Sequence, residues 1–528
     1  HSGIIEANRL SQNAKGEIIL LGDMAQGSTT VSGVLKAEGK NGQDGGFIET
    51  SAATVKITDN AKISTQSDSG QMGTWLIDPN DFTIAATSGD VSGTTLGTQL
   101  TTTDVIIQSD TGASGTSGNI YVNDNVTWNT GTALTLDAKN DIHINQDITA
   151  INGGKLNLKY GQATADGGTS DYYLNNGAKV NLTAGQNFST QKGNEGALID
   201  YTVITELGTE SSTTGTDLQG IRGDLFGNYV LGEDIDATAT STWDAGKGFI
   251  PLGNLNYDPL EFRGKFDGLG HTVTNLSINR PTINDVGLFG RTNNATLRNI
   301  GLIGANIIGN SYVGGLAGEN YASSMSNVYV TGTVSGVQYT GGLLGSNSSG
   351  TVSNAYATGT VVAGESAGGL VGRNELGIFN NVYATGSVSG SYNIGGLIGY
   401  NISGTVSNAY ATGIISGGTY GNSIGGLLGS NAYGTLNNTY ATGAVSGSSY
   451  IGGLVGQNYG TVSNAYATGT VTGYYGATGG LIGLDYYSSV SNAYATGAVN
   501  GVYYVGGLVE LYPIHMPWEQ FLVSRLAG

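Results

Sequence analysis

Through the second half of the chain, apolar positions return on one long, fixed period. Gly-Gly-Leu recurs with its Leu at Leu316, Leu343, Leu370, Leu397, Leu427, Leu454, Leu481 and Leu508, at spacings of 27, 27, 27, 30, 27, 27 and 27 residues. A second marker keeps step with it: Tyr329, Tyr356, Tyr383, Tyr410, Tyr440, Tyr466 and Tyr494, each two residues after an Asn. Between the markers lie short runs rich in Val, Ile, Thr and Tyr, punctuated by Gly. They have no 3.6-residue spacing and no capping box, and each Gly costs a helix ~1 kcal/mol, so the unit is β. A 27-residue period is too short for a propeller blade of ~40–45 residues. It fits one coil of a β-solenoid, with two or three short strands joined at Gly corners. Coils stacked ~4.8 Å apart through parallel ladders would make the array a rod of roughly 40 Å.

Stacking turns repeat positions into columns. Leu343, Leu370 and Leu397 form one expected core stripe, and Val352, Val406 and Val462 another. Asn347, Asn374, Asn401, Asn431 and Asn458 form an amide column, and Asn354, Asn381, Asn408, Asn438, Asn464 and Asn492 a second. Stacked amides can hydrogen-bond along the axis, so both read as structural ladders before ligand contacts. The longer copy carries its extra residues at Gly417-Gly418-Thr419, expected to be a corner loop. A Thr column (Thr358, Thr385, Thr412, Thr442, Thr468 and Thr496) follows from β propensity more simply than from ice binding. The first 200 residues also read as β, without this repeat. Strand-like stretches at 16–21, 54–58, 141–145 and 155–159 sit between Gly, Asn and Asp turns. His143 alternates there with Ile142 and Ile144, as a satisfied or exposed strand residue would.

Composition narrows the class. Gly is 90 of 528 residues, about 17% against a typical ~7%, yet Pro is only 6. That is neither a collagen-like nor a Pro/Gly-rich disordered chain. Lys and Arg total 20 and Asp and Glu 39, a net charge of −19, which disfavours nucleic acid and anionic membranes as partners. Without Cys there is no disulfide, thiolate nucleophile or Cys-based zinc site. No run of ~18 apolar residues is present, so nothing is expected to span a bilayer. The chain opens without a basic and apolar leader and reads as a fragment or processed product.

Chemistry is sparse. The four histidines, His1, His143, His271 and His515, have no metal spacing. Glu233, Asp234 and Asp236 could ligate calcium but read better as a solvated turn. No P-loop, dinucleotide fingerprint or nucleophile elbow is convincing. No catalytic residue, metal or cofactor is therefore expected. β-Helices do host polysaccharide lyases and hydrolases, which need paired carboxylates, commonly with basic residues nearby. Residues 311–509 contain one basic residue, Arg373, and four acidic ones, Glu319, Glu365, Glu375 and Asp485, in no such constellation. A region at 201–285 holds Asp234, Asp236, Asp244, Asp258, Glu261, Arg263 and Asp267, together with Trp243, Phe249, Phe262 and Phe266, and leaves an enzyme open there.

Two stretches resemble known families. Gly45-Gly46-Phe47-Ile48-Glu49-Thr50-Ser51, followed by Trp75-Leu76-Ile77-Asp78-Pro79, resembles the filamentous-haemagglutinin-like adhesins of Gram-negative bacteria. Their high-molecular-weight members carry "GGFVETS" and then "WLLDP". The Gly-Gly-Leu-x-Gly-x-Asn array, preceded by Phe266-Asp267-Gly268-Leu269-Gly270-His271-Thr272-Val273, resembles the GLUG repeat of bacterial surface proteins. The first resemblance implies a two-partner-secretion passenger that leaves through an outer-membrane transporter and folds as a right-handed parallel β-helix. Neither the family's N-terminal secretion domain nor a membrane anchor is expected within this sequence. The expected organisation is a haemagglutinin-type β-helix segment at 1–90, further solenoid coils at 91–200 and an irregular β connection at 201–285. The GLUG solenoid follows at 286–510, opening on the degenerate copy Val286-Gly287-Leu288-Phe289-Gly290, and then a non-repeat tail or cap at 511–528.

Of 30 Tyr, 22 fall between 311 and 509. The regular column from Tyr329 to Tyr494 reads as a packing ladder. Tyr392, Tyr420, Tyr450, Tyr474, Tyr475, Tyr503 and Tyr504 sit at variable corners and are the candidate ligand contacts, since Tyr offers an apolar face with a polar tip. The expectation is a non-enzymatic secreted or cell-surface adhesin that binds glycans, extracellular protein or biofilm polysaccharide. The alternative is a passive stalk presenting a distal toxin or effector. A polysaccharide-degrading enzyme ranks third. Sequons such as Asn347-Ser348-Ser349 and Asn401-Ile402-Ser403 would permit glycosylation.

Overall fold

The computed structural model describes residues 1, 3–7, 16–110, 112, 116–418 and 420–511. At 52% strand and 4% helix the chain is a parallel β-solenoid of about 18 turns, successive turns lying about 27 residues apart. Contacts divide it into two compact units. The first comprises residues 1–279, 288–306 and 322–330. The second comprises 280–287, 307–321 and the chain from 331 onward.

In the first unit one parallel ladder runs through Glu17–Leu21, Phe47–Ser51, Thr74–Asp78, Asp104–Gln108, Ala133–Asp137, Lys155–Tyr160 and Gly185–Lys192. Its inward positions, among them Ile48, Trp75, Ile77, Val105, Leu134 and Leu156, are fully buried. The alternation follows from the two-residue strand period. The two haemagglutinin-like segments are neighbouring coils of this ladder, with Phe47 opposite Thr74 and Ser51 opposite Asp78. Trp75 Nε1 donates to Thr50 Oγ1 at 3.0 Å, which ties the two segments to each other. Gly46 is required against the preceding coil, because a Cβ there would lie 2.0 Å from the Gly16 carbonyl oxygen.

Two features beside this ladder depart from a purely parallel solenoid of strands. The helix Gly93–Gln99 is capped by Ser92 Oγ, which accepts from the Thr95 N–H. Leu96 and Leu100 are buried, and the Gln99 amide accepts from Ile63 N at 2.7 Å and donates to Ala61 O at 3.0 Å. This helix therefore satisfies the edge of strand Lys62–Ser64 in place of another strand. The second departure is a reversal of sheet polarity. Ile199–Ile204 pairs antiparallel with Gly185–Lys192 across an irregularity between Gly185 and Phe188. Parallel pairing then resumes through Asn228–Leu231, Lys265–Asp267 and the strand beginning at Thr296.

In the second unit the first coils have three strands, as in Leu344–Ser348, Thr351–Ala357 and Thr360–Gly368, and later ones four, as in Tyr392–Gly395, Ile398–Ile402, Thr405–Ala411 and Ile415–Ser416. The Leu column is buried, and each Leu N–H bonds the Leu carbonyl of the next coil, Leu343 to Leu370 and Leu370 to Leu397 at 2.9 Å. Val352, Phe379, Val406, Leu436 and Val462 are in register as the second core stripe. The long copy inserts its extra residues at a corner, between Ile415–Ser416 and Asn422–Gly425; Thr419 lies outside the described residues. The tail expected beyond 511 also lies outside them.

The exposed Asn column has a backbone cause. Asn354, Asn381, Asn408, Asn438, Asn464 and Asn492 sit at φ of 48° to 56°, bending each strand inside its own length. Asn is among the few non-Gly residues that visit this left-handed region readily. Its amides also link along the column, as in Asn381 Nδ2 to Asn354 Oδ1 at 2.6 Å.

Candidate functional site

The buried Asn column is a closed hydrogen-bond ladder. Nδ2 of Asn320, Asn347, Asn374, Asn401 and Asn431 each donates to the Oδ1 of the next Asn at 2.6–2.9 Å. The second proton of Asn347, Asn374, Asn401 and Asn431 goes to a Gly carbonyl three residues on, at 3.1–3.2 Å. Asn458 donates to Asp485 Oδ1 at 2.8 Å, and Asp485 needs only to accept. Asn347 and Asn401 are fully buried with their amides used in this way, so their sequons are closed to glycosylation in the folded coil.

The regular Tyr column points outward, between buried Ala residues such as Ala355 and Ala357. From Tyr356 through Tyr383, Tyr410, Tyr440 and Tyr466 to Tyr494 the rings stack at 4.8–5.2 Å, tilted by 1–7°. Each inner ring covers its neighbours' faces, which leaves edges and hydroxyls to solvent.

The seven corner tyrosines behave differently. All sit at the same corner of successive coils, at or just before the strands that begin at Tyr392, Asn422, Ser449, Thr478 and Val505. Tyr420 is 82% exposed, Tyr475 64%, Tyr504 63%, Tyr503 58%, Tyr392 47% and Tyr474 44%. Tyr450 is half-buried. Tyr450 and Tyr504 occupy one column at left-handed φ of 56° and 50°, two coils apart. Sequence reasoning missed a neighbouring group, with Tyr433, Tyr459, Tyr486 and Tyr487 at the following corner and Tyr400 in the strand Ile398–Ile402 before it. Burial raises the Tyr459 hydroxyl above its ordinary pKa, with further contributions from nearby Tyr450, Tyr400 and Tyr433. The available signal was position, since these residues directly follow the ladder Asn or come within two or three residues of it. Arg373 lies on the same unit, ion-paired with Glu375 at 2.7 Å and 5.7 Å from the Tyr339 ring centroid.

The first unit holds a different arrangement beside the polarity reversal. A cavity of about 130 Å³ is walled by Tyr160, Tyr172, Tyr201 and Phe266, with Lys265 and Arg298 among its polar groups. Arg298 Nη1 donates to both Asp171 oxygens at 2.9 and 3.0 Å, and Nη2 donates to the Tyr172 carbonyl at 2.8 Å. Its guanidinium lies 4.3 Å over the Tyr172 ring and 3.4 Å from Asp267. Asp267 is buried and accepts from Tyr172 Oη, Asn299 Nδ2 and the Leu269 N–H. Burial raises its pKa, opposed by Arg298 and these donors. Burial also raises the Tyr160 hydroxyl and pushes Tyr201 up to about 12, so both remain donors at neutral pH. Lys265 is lowered by burial and by the charge of Arg298.

The remaining candidates are engaged in structure. Asp234 accepts from Lys179 Nζ at 2.6 Å and from the Thr272 N–H at 2.9 Å, and Asp236 caps the Thr238 N–H at 2.9 Å. Among the described residues no group of three His, Asp or Glu could hold a metal ion. His271 is buried, with Nε2 3.0 Å from the Val180 carbonyl oxygen, and burial lowers its pKa. His143 stacks between Tyr121 at 5.0 Å and Tyr173 at 5.3 Å. Among the described residues no helix is long and apolar enough to cross a membrane.

Comparison with known proteins agrees with the repeat reading. The GLUG motif matches residues 309–335, 336–362, 390–416 and 447–472. A curated relative, Halomucin of Haloquadratum walsbyi, is 44% identical over 111 residues, 20% of this chain and 1% of that protein. The chain therefore spans a very small part of the relative it matches. A solved structure titled IgA1 Protease has a TM-score of 0.33 and 18% identity, over 54% of this chain and 24% of that one.

Proposed function

We propose that this chain belongs to an extracellular, non-enzymatic surface protein whose GLUG array makes adhesive contacts with neutral glycans or extracellular protein. One observation carries the reading. Exposed tyrosines recur at the same corner of successive coils, in a stretch with a single cation, Arg373. Tyr supplies contact area at low entropic cost, and repetition over coils converts weak contacts into avidity. With few charges in that stretch, binding should change little with salt. By resemblance of the segments around Phe47 and Trp75, the chain would reach a Gram-negative surface as a two-partner-secretion passenger, through an outer-membrane transporter.

The test is binding of the full chain to an array of glycans, polysaccharides and matrix proteins, with Tyr420→Ala/Tyr475→Ala beside it. Binding that the double variant weakens, and that survives high salt, supports the proposal. Absence of binding by the intact chain favours the stalk. Release of sugar products would favour an enzyme and overturn the reading.

A further inference from the structure

We propose that the cavity in the first unit is a binding site for one sugar acid, a carboxylate-bearing monosaccharide unit. In a chain of net charge −19, its polar lining runs against the overall sign, with Lys192, Lys265 and Arg298 set against Asp267. Arg298 is committed to Asp171 and Asp267. Lys265 is half-buried and has no carboxylate partner among the described residues. Tyr160 is 8% exposed, lines the same cavity, and its hydroxyl has no hydrogen-bond partner among the described residues. A donor at the cavity wall can be taken up by a ligand acceptor in place of water. The walls add the ring of Tyr201 and the apolar Phe266 and Ile199.

Size and chemistry then select the ligand. At about 130 Å³ the cavity is well below the ~300–1,000 Å³ of pockets for drug-sized molecules, so it admits one small ring or its charged end. An inorganic anion would pair Lys265 and leave the aromatic wall unused. A neutral sugar would use the wall and leave Lys265 unpaired. A sugar acid meets both, with its carboxylate on Lys265, an oxygen accepting from Tyr160 and a ring face on Tyr201.

The experiment titrates D-glucuronate, D-glucose and acetate into the full chain at low salt, read by calorimetry and ligand-observed NMR. Saturable glucuronate binding is expected, with glucose and acetate each at least about tenfold weaker. Lys265→Met should weaken glucuronate about tenfold or more, and Tyr160→Phe about three- to tenfold, as for lost charged and neutral hydrogen bonds. Lys265→Arg should restore part of the loss. Circular dichroism melts establish that each variant folds, and Tyr160→Phe decides the matter should Lys265→Met not fold. Tyr420→Ala should leave this binding unchanged, so failure here is separable from failure of the adhesive corners. Absence of saturation, equal binding of glucose or acetate, or full affinity in a folded Lys265→Met or Tyr160→Phe variant would overturn the proposal.

Discussion

Replacing Asn374 by Ala cuts the buried amide ladder at its middle. Asn374 is fully buried, accepts from Asn347 at 2.9 Å, and donates to Asn401 at 2.8 Å and to Gly377 O at 3.2 Å. Truncation strands one proton of Asn347, the Oδ1 of Asn401 and the Gly377 carbonyl. At about 1–3 kcal/mol for each buried group left unmade, and allowing for some relaxation, the loss is about 3–6 kcal/mol. Stability in a stacked array is a sum of nearest-neighbour terms, so the damage should concentrate in the coils around residues 344–404. Hydrogen exchange resolved by peptide, with urea unfolding beside it, should show protection there falling by at least about a hundredfold. Asn374→Asp sharpens the test. The carboxylate still accepts from Asn347 but faces two acceptors, so its pKa in the fold must lie above the ordinary ~3.9. Ionisation then costs the folded state, and the variant should be less stable than Asn374→Ala at pH 7.5 and recover relative to it as pH falls toward 4. Asp485 shows the permitted case, because it stands in the same column where only acceptance is needed. A loss below about 1 kcal/mol for Asn374→Ala, or identical pH profiles for the two variants, would refute the ladder as a source of stability.

Three further outcomes are expected. Arg298→Met leaves Asp267 buried without its cation and should cost about 3–5 kcal/mol, seen as a fall in Tm, with a negligible shift counting against the ion-pair assignment. Asp78 is pushed up to about 6, first by burial and then by Asp110 and Glu49, so the fold loses stability as pH rises from about 3.8 to 6. Asp78→Asn should therefore raise Tm most above pH 6 and hardly at all below pH 4; a pH-independent difference would contradict the burial argument. Tyr420→Ala and Tyr475→Ala should leave stability within about 0.5 kcal/mol of the parent, since both rings are exposed, and a larger drop would mean that they pack rather than present.

What the sequence made legible is what stacking repeats. The Leu, Val and Asn columns occupy the same environment once per coil, so period alone assigned them. The motif also hides a steric rule, which the structure exposes. Gly follows the ladder Asn by three residues because a Cβ on Gly377 would lie 1.9 Å from Asn347 Nδ2. The uneven spacing of the Tyr marker has a local cause too, since Asn431 and Thr435 match Asn458 and Thr461, one residue shorter at the corner. Non-repeating contacts left no such trace. Arg298 meets Asp171 across 127 residues, a separation that the spacing of neighbouring coils does not announce. The helix Gly93–Gln99 has poor propensity and exists through Leu96, Leu100 and the Gln99 amide, all tertiary causes. The polarity reversal at Ile199–Ile204 has no compositional mark, because either strand direction uses the same residues.

The array separates what must stay constant from what can vary. Its ladders consume their own binding groups: the buried amides face one another, and each inner ring of the regular Tyr column is covered by the next. A surface so satisfied offers edges and hydroxyls but no free aromatic face. Length changes fall only at corners, where the insertion between Ser416 and Asn422 carries Tyr420 and the loop between Gly473 and Thr478 carries Tyr474 and Tyr475. A corner can change without altering the register of the ladders on either side, as the unbroken pairing of Ile415 with Val445 and of Asn422 with Ser449 demonstrates. On the proposed function, recognition would fall to the corners, and the coil between them would set how many corners are presented and at what spacing.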